Sequence, residues 1–292
     1  MTRTQPGAGQ PLDGGADATS TGVGSSRRVV SPLAAAWWVP VTLLVPLLGL
    51  LVGEAVLLSR QFGVSPAVAP VDVTVAPSDG GLTTAATVEL AAFGDSAMAG
   101  VGVQRAEDSL PVQVAQRVAD ATGRPVHVVG YAVSGARTLD VLTDQLPAVR
   151  RTPDVSVLVV GTNDVTGVIP APVLARSLGA LLDALVDVGG PVVMSSLPEF
   201  RAMRLVPHPL REAVLAYASV VTAVQRHEAT KRPLVRYVDV RAAVGPVFIS
   251  DERTMSADSV HPSAAGYGQI ADTLLPAVLC VLEGVSARST EG

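Results

Sequence analysis

Two short stretches, far apart in the chain, carry the residue types of nucleophilic catalysis. One is Gly94-Asp95-Ser96, and the other is Asp258-Ser259-Val260-His261-Pro262. A serine hydroxyl attacks only when a base takes its proton, and a third group must hold that base in the right tautomer. His261 can be the base, and Asp258, three residues earlier, can bond its other ring nitrogen. Attack on a carbonyl also needs donors for the oxyanion. The backbone N–H of Ser96, the backbone N–H of Gly135 and the side-chain amide of Asn163 are the natural set. Gly135 lets a ligand approach the backbone, and Asn163 offers a neutral donor. Each stretch alone has a plainer reading. Gly-Asp-Ser is ordinary turn composition, and Asp258 could be a surface residue and His261 a helix-entry residue.

The elements between these stretches decide whether they can meet. Apolar runs at Val88–Phe93, Val126–Val129, Val155–Val160, Pro191–Ser195 and Leu234–Val238 read as strands buried on both faces. Helical patterns cover Leu110–Thr122, Thr138–Val149, Ala171–Val188, Leu210–Thr230 and Ala264–Leu282. Alternation of this kind predicts an α/β fold, a five-stranded parallel sheet with helices on both sides. Ligand sites in such folds gather beyond the carboxyl ends of the strands. Strand ends here run into Gly94-Asp95-Ser96, into the loop Gly130 to Ala136, and into Gly161-Thr162-Asn163-Asp164. The loop Asp258–Pro262 precedes the last helix, where Pro262 suits the first turn. Four such clusters on one edge are hard to explain as capping alone.

Taken in order, Gly94-Asp95-Ser96, Gly135, Gly161-Thr162-Asn163-Asp164 and Asp258-Ser259-Val260-His261-Pro262 resemble the SGNH hydrolases, also called the GDSL lipase/esterase family. The resemblance covers about 200 residues, from Thr87 to near Gly284. It implies a flavodoxin-like three-layer α/β/α sandwich without metal or organic cofactor. It implies Ser96 as nucleophile, His261 as base and then acid, Asp258 as its orienting partner, and Ser96, Gly135 and Asn163 as the oxyanion hole. The sequence departs from the family pattern at Gly130 and Ala132, where an asparagine and a glycine are frequent. It also reads Ala97-Met98-Ala99-Gly100 in place of the leucine of the family name. A rival nucleophile is Ser134 in Ala132-Val133-Ser134-Gly135-Ala136. It lacks both flanking glycines of the Gly-x-Ser-x-Gly elbow and reads as a loop residue.

Other polar residues receive structural readings. Asp164 caps or orients its loop, Asp95 bonds the local backbone, and His127, His208 and His227 are structural or exposed. Arg201 and Arg204 lie in a long loop with Met203, Leu205 and Pro207 that is a candidate cleft wall. The single cysteine, Cys280, excludes an internal disulfide and a multi-cysteine metal site, and reads as a buried thiol. A formal charge of -5 gives no electrostatic basis for a nucleic-acid partner.

The chain ahead of this domain divides into three. Residues 1–28 have a disordered composition. Residues 29–58 read as a transmembrane anchor, because Val29 to Gly53 holds no charge and exceeds the ~20 residues a span needs. Residues 59–86 read as a Pro/Gly-rich linker. The hydrolase domain is expected over 87–284, with a short tail at 285–292. Arg27 and Arg28 before the span orient it with the domain outside the cytoplasm. A signal peptide cleaved after Ala67-Val68-Ala69 is the competing reading. The expected function is hydrolysis of a small-molecule or lipid-like ester at a membrane. Acyl transfer to an alcohol or glycan by the same residues, and a non-catalytic protein on this scaffold, are the alternatives.

Overall fold

Among the described residues six strands form one mixed sheet: β1 (Asp72–Val75), β2 (Val88–Gly94), β3 (Val126–Gly130), β4 (Val155–Val159), β5 (Val192–Ser195) and β6 (Val235–Val238). Their order is β1-β3-β2-β4-β5-β6, with β1 antiparallel to β3 and every other pair parallel. The computed structural model describes residues 50, 67–68, 70–80, 85–203 and 206–290. Residues 1–49 and 51–66, which hold all of the apolar stretch from Val29 to Gly53 but Leu50, and Arg204 therefore lie outside the described residues.

The helices are α1 (Leu110–Thr122), α2 (Thr138–Asp140), α3 (Thr162–Thr166), α4 (Ala171–Val188), α5 (Leu210–Thr230), α6 (Val240–Ser250) and α7 (Ala264–Thr290). They cover the sheet as two layers. Leu90, Ala92, Val155 and Val157 bury one face against α1, α6 and α7. Ala91, Phe93, Leu158 and Met194 bury the other against α4 and the end of α5. Adjacent residues of β2 thus feed opposite cores, as the period of two in a strand requires.

Four findings differ from the sequence reading. The sheet has six strands, not five, because β1 lies in the stretch expected to be linker. Asp-Val-Thr-Val on an exposed edge has no apolar run to announce it. It is tied in by the Gly130 N–H donating to Val71 O at 2.8 Å, and by His127, whose ring bonds Glu89 at 2.6 Å and Asp72 at 2.8 Å. The expected Thr138–Val149 helix is only one α-turn, followed by a π-turn (Val141–Gln145) and a 3-10 turn (Leu146–Ala148). The helix α6 was not expected, since Pro246 lies inside it and removes a backbone donor. Finally, α7 runs past Gly284 to Thr290, and Cys280 on it is exposed, not buried. Tyr267, Ala271, Leu274 and Val278 define its inward face, and Cys280 falls off that stripe. By length and composition α7 is apolar enough to cross a membrane. The same stripe packs it into the first core.

Candidate active site

The turn that carries Ser96 is built around Gly94. Its φ is 145°, and a Cβ there would lie 1.9 Å from the Val159 carbonyl oxygen, so only glycine fits. Gln145 clamps this residue from both sides. Its Oε1 accepts from the Gly94 N–H at 3.0 Å, and its Nε2 donates to the Gly94 carbonyl at 2.7 Å. The Asp95 N–H then donates to Val159 O at 3.1 Å, and the Val101 N–H donates to Ser96 O at 3.0 Å. These bonds fix the Ser96 backbone and leave its own N–H without an acceptor among the described residues.

The opposite side of the site is a small closed hairpin ahead of α7. Met255 and Pro262 form an antiparallel bridge, the Ser256 N–H donates to His261 O at 2.8 Å, and Ser259 turns the chain with φ 56°. Ser263 caps α7, its hydroxyl accepting from the Gly266 N–H at 3.3 Å. Pro262 therefore precedes the cap and does not occupy the first helical turn. Tyr267, fully buried on α7, donates its hydroxyl to Val101 O at 2.5 Å and ties the hairpin to the Ser96 turn.

Across this junction the three residues singled out in the sequence meet. His261 Nε2 is 2.9 Å from Ser96 Oγ, and His261 Nδ1 is 2.8 Å from Asp258 Oδ2. The other Asp258 oxygen, Oδ1, accepts from the backbone N–H of Val260 at 2.9 Å, that of His261 at 2.8 Å and the Ser256 hydroxyl at 2.7 Å. Burial alone would raise the Asp258 carboxyl, but the His261 N–H groups, Ser256 and Val260 outweigh it. The net effect holds Asp258 well below the usual carboxylate range. A carboxylate so held accepts the Nδ1–H, which leaves the Nε2 lone pair facing the serine hydroxyl.

The other two expected oxyanion donors lie on the loop after β3 and on α3. Gly135 adopts φ 87°, and its N–H has no acceptor among the described residues. Asn163 donates one amide hydrogen to Ala136 O at 3.0 Å, which joins α3 to the Gly135 loop and leaves the second hydrogen without an acceptor among the described residues. Asp164, buried at 2% exposure, reinforces the joint by accepting from the Thr138 N–H at 3.0 Å and the Thr138 hydroxyl at 2.8 Å. Its capping role thus reaches across to the start of α2. The unusual Gly130 and Ala132 cost the loop nothing visible. Tyr131 N–H donates to Ala92 O at 2.8 Å and Val133 N–H to Gly94 O at 3.2 Å, so backbone bonds hold it against the Ser96 turn. Ser134 is exposed and makes no hydrogen bond among the described residues.

Sequence reasoning missed Gln145, Ser256 and Gly102. Gln145 acts 51 residues from its partner, so no local spacing points to it. Gly102 has φ 98°, and a Cβ there would lie 2.5 Å from Pro262 O and 3.1 Å from His261 Cβ. Gly102→Ala is therefore expected to push the His261 hairpin away from Ser96. A shift near 1 Å lowers turnover about 100-fold. Steady-state kinetics on a variant whose far-UV circular dichroism is native would read this; unchanged turnover would mean the hairpin is not seated on Gly102.

Asp95 is more than a turn residue. It is 2% exposed, its Oδ1 accepts from the Ala97 N–H at 3.2 Å, and its Oδ2 is buried with no hydrogen-bond partner among the described residues. Burial, with Asp164 nearby, pushes its carboxyl up to about 7. The unfolded chain releases this proton near pH 4. The folded protein is therefore destabilised as pH rises from about 4 to 7, by up to roughly 1.4 kcal/mol per pH unit. Asp95→Asn keeps the shape and removes the titration. Thermal melts between pH 4.5 and 7.5 should show a shallower decline than wild type, with some slope left from Asp164, which burial also raises. An identical slope would contradict a neutral Asp95. Among the described residues no group of acidic, histidine or cysteine side chains is arranged to hold a metal.

An α/β fold with a mixed sheet, like that of the GDSL hydrolases, here carries a serine, a histidine and an aspartate in one hydrogen-bonded line. The sequence agrees: the chain belongs to the GDSL-like lipase/acylhydrolase family, whose model matches residues 92–269. It is 31% identical over 194 residues to the GDSL-like esterase Rv1075c of Mycobacterium tuberculosis, a match covering 65% of this chain. The chain spans 62% of that relative's length. Among solved structures it resembles phospholipase A1 from Streptomyces albidoflavus at 21% identity and a TM-score of 0.52, covering 67% of this chain and 100% of that one. A family 3 carbohydrate esterase from Clostridium thermocellum matches with the same TM-score at 20% identity, covering 68% and 99%. These two likenesses establish the fold.

Proposed function

We propose that the chain is a serine esterase that cleaves carboxylic esters through an acyl-enzyme. The observation that carries this reading is the bond line from Asp258 through His261 to Ser96 Oγ, with lengths of 2.8 and 2.9 Å. Family membership and the relation to an esterase support it.

Ser96 Oγ attacks the ester carbonyl while His261 Nε2 takes its proton. The carbonyl oxygen gains negative charge and is received by the N–H groups of Ser96 and Gly135 and by Asn163. His261 returns the proton to the departing alcohol oxygen, leaving an acyl ester on Ser96. Water then enters, gives a proton to His261 and attacks the acyl carbon, and collapse releases the acid and restores Ser96. Asp258 stabilises the imidazolium formed in each half-reaction. Hydrolysis of p-nitrophenyl butyrate, with titration of the acid released, tests this directly. Product analysis with added alcohol separates hydrolysis from acyl transfer, since a transferase would yield a new ester in place of acid.

The substrate is assigned to small or lipid-like esters met at a membrane surface. The uncharged stretch from Val29 to Gly53 supplies the anchor, and Arg27 and Arg28 orient it with the catalytic domain outside the cytoplasm. Protease digestion of intact cells should remove the domain. Protection until the cells are lysed would reverse the orientation.

A further inference from the structure

A cavity of about 80 Å³ opens between Ser96 and His261 and runs inward beneath them. Most of its wall is aliphatic or aromatic: Leu110 from α1, Met203 from the loop after β5, Val240, Val244 and Phe248 from α6, and Ile270 from α7; Asp95, Thr162, Glu199 and Arg241 supply a smaller polar part. Leu110, Val240, Val244, Phe248 and Ile270 are themselves buried core residues. Among the described residues the inner wall is therefore the first core. Neither Gly135 nor Asn163 lines it.

The geometry points to this cavity as the acyl pocket, taking a short, unbranched aliphatic acyl chain of roughly four carbons; the inference rests on the esterase reading above. Three arguments carry it. A predominantly apolar wall favours a hydrocarbon over a sugar, whose many hydroxyls would outnumber the polar side chains there. A volume near 80 Å³ is about half the ~150 Å³ that accepts benzene in an engineered protein cavity, so it holds roughly three carbons beyond the carbonyl. The inner wall of core residues decides which arm of the ester enters. The alcohol must leave before water attacks, and a cavity running inward onto the core would hinder it. The acyl chain stays attached to Ser96 through both steps and can remain there.

The test is a chain-length series of p-nitrophenyl esters on the full-length protein. Wild-type kcat/KM should rise about 10-fold from acetate to butyrate, through two buried methylenes, and fall again by octanoate. Ala202 also lines the cavity, at 5% exposure. Ala202→Leu should lower the butyrate-to-acetate ratio about 10-fold. Val244→Ala should move the best substrate one or two carbons longer. A ratio unchanged in both folded variants, or activity still rising at octanoate, would overturn the pocket. Calorimetric binding of acetate, butyrate and octanoate to Ser96→Ala separates this from failure of the esterase reading. A wild type that hydrolyses no ester would reject that reading. The pocket stands even then if Ser96→Ala binds butyrate tighter than acetate and octanoate no tighter than butyrate. Equal binding of all three would reject the pocket.

Discussion

Ser96→Ala is expected to lower kcat for p-nitrophenyl butyrate by about a million-fold while the protein stays folded. The size follows from how the three groups work as a unit. Without the hydroxyl, His261 has no nucleophile to activate, and only the oxyanion donors and binding remain to accelerate attack by water. His261→Ala should cost nearly as much, because it removes the acceptor 2.9 Å from Ser96 Oγ. Combining the two should add little to either alone. Folding should survive both changes, since neither side chain lies in the two cores that cover the sheet. The comparison requires thermal melts beside the kinetics. Native-like melts with wild-type-like turnover in either variant would reject the assignment.

Asp258→Asn should lower kcat by about ten-thousand-fold, for a different reason. Asp258 Oδ1 is committed to three donors, from Ser256, Val260 and His261. In the asparagine variant the amide oxygen must take that place, which turns the NH₂ toward His261 Nδ1. The ring then accepts at Nδ1 and carries its proton on Nε2, facing Ser96 as a donor. The base is present but in the wrong tautomer. Asp258 also contributes to stability with a definite sign. Its carboxyl is held below the unfolded value, so its contribution is present above the ordinary carboxylate range and is lost only in strong acid. A variant with near-normal kcat would mean the ring is oriented by something other than Asp258.

Much of the site was legible because its members sit at the ends of apolar strands, where type and position agree. Gly94, Gly135 and Gly161 adopt φ values of 145°, 87° and 125°, which accounts for glycine at each loop. The line from Asp258 to His261 was legible because both residues share one loop. Gln145 was not, because its role arises from a π-turn that no propensity predicts. Strand β1 escaped notice because an edge strand needs no buried run. Cys280 was misplaced because an apolar stretch gives composition, while burial depends on the helix phase that Tyr267, Ala271 and Leu274 set. The burial of Asp95 is likewise a tertiary property. It depends on how the Ser96 turn packs against α7 and α3.

The most direct test of the central claim is the site of covalent labelling by a fluorophosphonate. The account predicts one adduct per chain, located by peptide mass spectrometry on Ser96, abolished in Ser96→Ala and strongly slowed in His261→Ala. Labelling on Ser134 or another serine, or no labelling of the folded wild-type protein, would contradict it.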